Sequence, residues 1–169
     1  QRYMTLVKDC FKRDGAFGIC LIAEGAEVGA PAVPHPVGTE ARIVAWDMTQ
    51  PGILDITVRG EGRFRILSSA ADATGLLQAR VEPIAAEPVL PVPGKLAALV
   101  PLLQAMAADA GAERLPPPHR FDDAAWVGHR FCELLPIPAI ARQKLLELDD
   151  PISRLEIVFK FLAQRNLVK

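Results

Sequence analysis

His129 and Cys132, three positions apart, are the nearest approach in this sequence to a catalytic or metal-binding pair. Residues at i and i+3 share a helix face, but a nucleophile or a metal ion needs further partners from elsewhere in the fold. Between Phe131 and Leu134, Cys132 is expected to pack as a small buried hydrophobe. His35 and His119 lie in proline-rich surroundings and have no ligand spacing. The acidic pairs Asp122-Asp123 and Asp149-Asp150 imitate a carboxylate dyad. Each, however, directly precedes a helical pattern, where a carboxylate accepts from unpaired amides, so capping is the expected role. No GxxxxGK[ST] cradle, GxSxG elbow, HExxH pair or EF-hand loop occurs, which removes the readable ATPase, hydrolase and metal signatures. Gly60 and Gly62 join two strand patterns and open no helix, so Gly60-Glu61-Gly62 is expected as a turn rather than a nucleotide loop. These residues point to no catalytic group, no cofactor and no metal.

Arg59, Arg63 and Arg65 share one parity on what read as neighbouring strands, and could converge on phosphates. Asp55, Glu61 and Glu82 lie among them and no aromatics interleave, so a solvated face of mixed charge is the favoured reading over a nucleic-acid surface. The global charge agrees. Nineteen basic against twenty acidic residues leave a net charge of -1, too little field to hold a polyanion or an anionic membrane.

The elements that must position these residues change period along the chain. With 169 residues, half of them hydrophobic, there is enough apolar side chain for one domain or two small lobes. Tyr3, Leu6, Val7 and Cys10 form one stripe of a short helix that Gly15 stops, and Phe17 to Ile22 reads as a strand buried on both faces. From Gly25 to Pro36 glycines and prolines predict a surface loop. Between Ala41 and Ile84 the period is two: Leu54, Ile56 and Val58 alternate with Asp55, Thr57 and Arg59, Pro51-Gly52 supplies the turn before them, and four or five strands follow one another. Pro88, Pro91 and Pro93 mark a boundary. Beyond it, helical spacing returns, with Pro101 expected to kink or restart the first helix. Asp122 and Asp123 cap the next, which carries Val127, Phe131, Leu134 and Leu135. Pro138 opens a third, and Asp150-Pro151 opens a last helix with Ile152, Leu155, Phe159 and Leu162 inward and a Glu156–Lys160 pair outside.

The apolar stretch from Leu96 to Ala108 contains Pro101 and Gln104 and is shorter than the roughly 20 residues of a membrane span. Cys10, Cys20 and Cys132 are odd in number and form no CxxC, so neither a disulfide framework nor a zinc ribbon is expected, and a reducing, cytoplasmic setting fits. The start, Gln1-Arg2-Tyr3-Met4, has no secretory pattern and no initiator methionine, which suggests a processed, truncated or incompletely given N-terminus.

The order of segments resembles the LON N-terminal, or substrate-binding, domain, which stands at the front of ATP-dependent Lon proteases and in small stand-alone bacterial proteins. The resemblance rests on Arg2-Tyr3-Met4, Phe17-Gly18 to Ile22, Val37-Gly38-Thr39 with Ala41-Arg42-Ile43, and Thr57-Val58-Arg59-Gly60 with Arg63-Phe64-Arg65-Ile66. Farther on it rests on Glu133-Leu134-Leu135-Pro136, Lys144-Leu145-Leu146-Glu147 and Arg154-Leu155-Glu156. It implies an α+β chain, a PUA-like β pseudobarrel over residues 1–88 followed by a C-terminal helical bundle over 89–169. In the family, two strands rich in Pro, Leu and Phe precede the Arg-Tyr segment; either those residues lie ahead of Gln1, or the sheet has an unpaired edge that would invite other strands. The resemblance further implies a non-catalytic recognition module without the ATPase and Ser-Lys peptidase modules of Lon. Its partners would be unfolded or regulatory polypeptides and an ATP-dependent protease, met by β-augmentation or in an apolar groove between the lobes. Trp46 and Trp126 are candidate groove aromatics, against the ordinary expectation that tryptophan is core. The PUA-like alternative is RNA binding through Arg59, Arg63 and Arg65.

Overall fold

The computed structural model describes residues 2–27, 29–50 and 53–168. The expected Pro51-Gly52 turn lies outside them. The chain divides into two compact units, residues 1–86 and 87–169.

The N-terminal unit begins with α1, Arg2–Arg13. Val7 and Cys10 are its buried positions and Leu6 is half-buried, while Tyr3 is exposed. Asp14 rather than Gly15 takes the left-handed conformation that ends the helix, with φ 47°. The Gly15 amide then donates to Cys10 O at 3.0 Å, the long bond of a Schellman cap. The strands are β1 (Ala16–Ile19), β2 (Ile22–Glu24), β3 (Val33–Pro34), β4 (Val37–Gln50), β5 (Ile53–Ala71) and β6 (Leu77–Pro83). An antiparallel sheet runs in the order β1-β4-β5-β6, and β2 pairs with β3 apart from it.

Three expectations are corrected here. The Phe17–Ile22 run is broken between β1 and β2, and it is not buried on both faces, β1 being half-buried to exposed and β2 exposed. The Gly25–Pro36 loop contains β3. Gly60-Glu61-Gly62 is no turn: it lies inside β5, a strand of 19 residues. The partner of Thr39 is Arg63 and that of Ala41 is Gly60, so β5 carries one extra residue there. A β-bulge absorbs the glycines without reversing the chain, and Arg42 Nε clasps Glu61 Oε1 across the strands at 2.7 Å.

The C-terminal unit holds α2 (Leu99–Arg114), α3 (Ala124–Leu134), α4 (Ala139–Glu147) and α5 (Pro151–Ala163). Leu99, Leu103, Val127, Phe131, Leu155, Val158 and Leu162 are fully excluded from solvent, each gaining roughly 1.5–3 kcal/mol over exposure. Pro101 does not kink α2. It falls in the first turn, where no amide bond is lost, and the break comes at Gly111, with φ 76°. The buried face of α5 is Pro151, Arg154, Leu155, Val158 and Leu162, one step round from the expected stripe. Glu156 makes its direct ion pair with Lys95 at 2.5 Å, and Lys160 adds a weaker charge interaction.

Asp150 caps α5 by accepting from Ser153 N, and Asp123 caps α3 by accepting from Ala125 N at 3.0 Å. Asp123 is buried and also takes Arg120. Replacing it, Asp123→Ala, is expected to cost the helical unit about 1–2 kcal/mol, read as a lower urea midpoint of Trp126 fluorescence.

Candidate functional site

The two units differ in how completely they cover their own apolar surface. The helical unit seals a continuous core. The N-terminal unit buries Val7, Cys10, Val37, Ala41 and Phe64, yet leaves Ile19, Val44, Trp46, Met48, Ile53, Leu67 and Val81 substantially exposed. Contiguous exposed apolar patches are features of interaction sites, whereas singly scattered ones are ordinary.

Within this unit a cavity of about 1030 Å³ is lined by β1 through Phe17, Gly18 and Ile19, by β6 through Leu77, Ala79 and Val81, and by Phe64 and Ile66 of β5. Tyr3, Leu6 and Cys10 of α1, Ile22 of β2 and Pro34 of β3 add to the apolar lining, and Asp9, Arg13, Glu40 and Gln78 also border it. Both edge strands of the sheet therefore border one cavity, and among the described residues each has a single neighbouring strand. Their other edges carry amide and carbonyl groups that an extended segment can pair.

The site depends on small residues in β1 and β4. The ring of Phe64 lies so close over Gly18 and Gly38 that a Cβ on either would meet ring carbon at 2.8 Å and 2.6 Å. Larger residues would push the aromatic ring out of its bed.

The two cysteines that border the cavity are unbridged. Burial raises the pKa of Cys10, with Asp9 adding to the rise and Arg13 opposing it, and burial alone raises that of Cys20. Both stay thiols at neutral pH, and the thiol is a poor nucleophile and ligand. No group of three or more His, Cys, Asp or Glu able to hold a metal ion occurs among the described residues.

The residues singled out from sequence are dispersed. Trp46 is on β4, 60% exposed, with Phe11 edge-on at 6.1 Å; it is neither core nor part of the cavity lining. Trp126 is half-buried on α3 in a cluster with His119 and Phe121, with the Arg130 guanidinium 5.8 Å from its ring centre. Arg59, Arg63 and Arg65 sit on one strand, not on neighbours. The bulge between Gly60 and Arg63 turns Arg59 to the face opposite the other two, because cross-strand partners share a face and the register slips by one there. Arg65 stands opposite Glu82. No common arginine strip forms.

Sequence reasoning missed a buried ionic cluster. Arg154, 0% exposed, donates from Nη1 to Glu87 Oε2 at 2.6 Å, from Nη2 to Glu87 Oε1 at 2.8 Å and to Leu148 O, and from Nε to Leu145 O at 2.9 Å. His129 Nε2 meets Glu87 Oε1 at 3.0 Å, so its partner is this carboxylate and not Cys132. Burial raises the Glu87 pKa, but the hydrogen bonds and charges of His129 and Arg154 outweigh it and hold the group at about 2. Burial pushes the Cys132 thiol up to about 11, as suits a packed hydrophobe. The signal was present: Arg154 lies within the 151, 154, 155, 158 stripe of α5, and an arginine in an apolar stripe demands a buried counter-charge.

The family model of the ATP-dependent protease La (LON) substrate-binding domain matches residues 1–164. The chain belongs to this family. Among solved structures it is similar to the Lon N-terminal domain protein from Xanthomonas campestris, with 34% identity, a TM-score of 0.78, and 95% of this chain and 83% of that one covered. The N-terminal domain of Mycobacterium avium complex Lon protease, at 19% identity and a TM-score of 0.55 over 88% of this chain and 89% of that one, shares the fold. No curated protein matches. The LON match establishes the α+β architecture of antiparallel sheet followed by helices and supports a substrate-binding role for the chain. No helix of the described residues is long and apolar enough to cross a membrane.

Proposed function

We propose that this LON substrate-binding domain binds extended apolar segments of unfolded or regulatory polypeptides, accessory to ATP-dependent proteolysis, without transforming them. One observation carries the reading: both edges of the main sheet, β1 and β6, border the same apolar cavity. A client strand adds to the β6 edge through its backbone, which is indifferent to sequence, while alternate side chains enter the cavity beside Phe64, Ile66 and Val81.

The test is fluorescence anisotropy of a labelled, permanently unfolded polypeptide titrated with the chain in the absence of ATP. Saturable binding is expected, weakened about tenfold or more by Val81→Lys, which puts a charge in an apolar contact. No binding, or binding that Val81→Lys leaves unchanged, would overturn the reading.

A further inference from the structure

The β4–β5 arm raises a separate question. β1 pairs with β4 only from Thr39 to Arg42, and β6 pairs with β5 only from Phe64 onward. The Ile84 amide adds one more bond, to Arg63 O at 2.9 Å. Among the described residues the outer edge of β5 from Ile53 to Gly62 faces no strand. Over 43–50 and 53–58 the sheet is therefore a two-stranded ribbon, an arrangement of marginal stability in water unless something packs on it. The ribbon exposes Val44, Trp46, Met48 and Ile53. The register shifts over this span add residues to β4, leaving β5 regular from Ile53 to Gly60. It has no proline or lysine there to blunt its edge.

The side chains of that regular strand are self-complementary. Asp55-Ile56-Thr57-Val58-Arg59 reads the same in chemical type when it is reversed and its charges are exchanged. Laid antiparallel on a second copy with Thr57 opposite Thr57, it sets Asp55 against Arg59 twice and Ile56 against Val58 twice. Opposite charges, a threonine pair and apolar β-branched pairs are the cross-strand contacts that stabilise an antiparallel edge. Among registers centred on Asp55, Thr57 or Arg59, only the one on Thr57 avoids like charges face to face and pairs Asp55 with Arg59. Arg59 has a further reason to accept a carboxylate. Its partner within the chain is Arg42, whose guanidinium is already engaged by Glu61 and by Asp14 O at 2.7 Å. Ile56 stands opposite Trp46, so the same docking would extend an apolar face around that exposed ring.

We propose that two copies of this chain associate through the free edge of β5, centred on Thr57, to form a continuous antiparallel sheet with reciprocal Asp55–Arg59 pairs. Sedimentation velocity over a concentration series tests it. The native chain is expected to show a reversible monomer–dimer equilibrium that weakens with salt. Asp55→Arg sets Arg against Arg twice and Arg59→Asp sets Asp against Asp twice; each should raise the dimer dissociation constant about tenfold or more. The double variant Asp55→Arg/Arg59→Asp restores complementarity and should return the constant to within about threefold of the native value, a rescue that misfolding cannot imitate. Far-UV circular dichroism confirms that each variant is folded. A native chain monomeric at every concentration, a dimer indifferent to the single reversals, or a double variant no better than the singles would each overturn the proposal.

Discussion

Glu87→Ala is expected to be the most damaging single substitution in the helical unit, lowering its stability by about 3–5 kcal/mol. The reason is what it leaves behind. Arg154 stays wholly excluded from solvent, still bonded to Leu145 O and Leu148 O, with its charge uncompensated. Removing one partner of a buried pair strands the other, and this costs more than the pair itself contributes. Arg154 cannot escape by losing its proton, since a guanidinium stays charged at any workable pH. Nor can it swing out, because its stem lies against Gly128, where an added Cβ would come within 3.2 Å of Arg154 Cδ. Replacing both partners with apolar residues of similar volume, Glu87→Leu with Arg154→Met, should cost far less than Glu87→Ala alone. Urea denaturation followed by Trp126 fluorescence in a Trp46→Phe background isolates this unit. Equal losses for the single and the double variant would show that packing, not charge, governs the site.

The same cluster sets a pH dependence. The Glu87 carboxyl is held at about 2, below its ordinary 4.5, by His129 and Arg154 against the opposing pull of burial. A depressed folded value means that the unfolded chain binds the proton first. The cluster's contribution, roughly 3 kcal/mol from that difference, is complete above about pH 4.5 and drains away as the pH falls toward 2. Glu87→Gln should flatten the acid limb of the stability profile over that window.

How far the sequence foretold all this depends on the kind of signal. The helices were legible because their punctuation is local: Asp123, Asp150 and Pro151 stand where an N-terminus needs a carboxylate or a fixed φ. The two-residue period announced the sheet. Its connectivity was not legible at Gly60-Glu61-Gly62, because a bulge and a turn call for the same residues and differ only in what the opposite strand does. Reading a turn there split β5 in two and gave Arg59 the parity of Arg63 and Arg65, which the bulge reverses. Trp46 was expected inside from its type alone, but exposure is decided by which strands flank it. The Glu87–Arg154 pair joins positions 67 apart, and no spacing rule reaches that far; only the misplaced charge on the α5 stripe gave notice. The cavity is likewise a product of pairing, since it is bordered by β1 and β6, each with a single neighbouring strand among the described residues.

Gly38→Ala tests the part of the site that rests on close approach. The new methyl would come within 2.4 Å of Cys20 Sγ, 2.6 Å of Ile19 O and 2.6 Å of Phe64 Cζ. A thiol or a ring can turn away. A backbone carbonyl beside β1 can yield only if the strand shifts at its Ile19–Thr39 rung. The N-terminal unit should therefore lose about 3 kcal/mol, the upper end for overpacking, measured by urea denaturation with Trp46 as the reporter and Trp126→Phe as background. Client affinity should fall with it, because Phe64 and the β1 border of the cavity move together. Gly62→Ala is the matched control. Its added methyl meets nothing nearer than Glu40 Oε2 at 3.8 Å, and Gly62 is not among the positive-φ glycines Gly25, Gly29, Gly75 and Gly111. Stability should change by no more than about 0.5 kcal/mol. Were Gly62 in a true turn with positive φ, the same substitution would carry a strain cost, so the pair of variants separates the bulged strand from the turn as well as the crowded glycine from the open one.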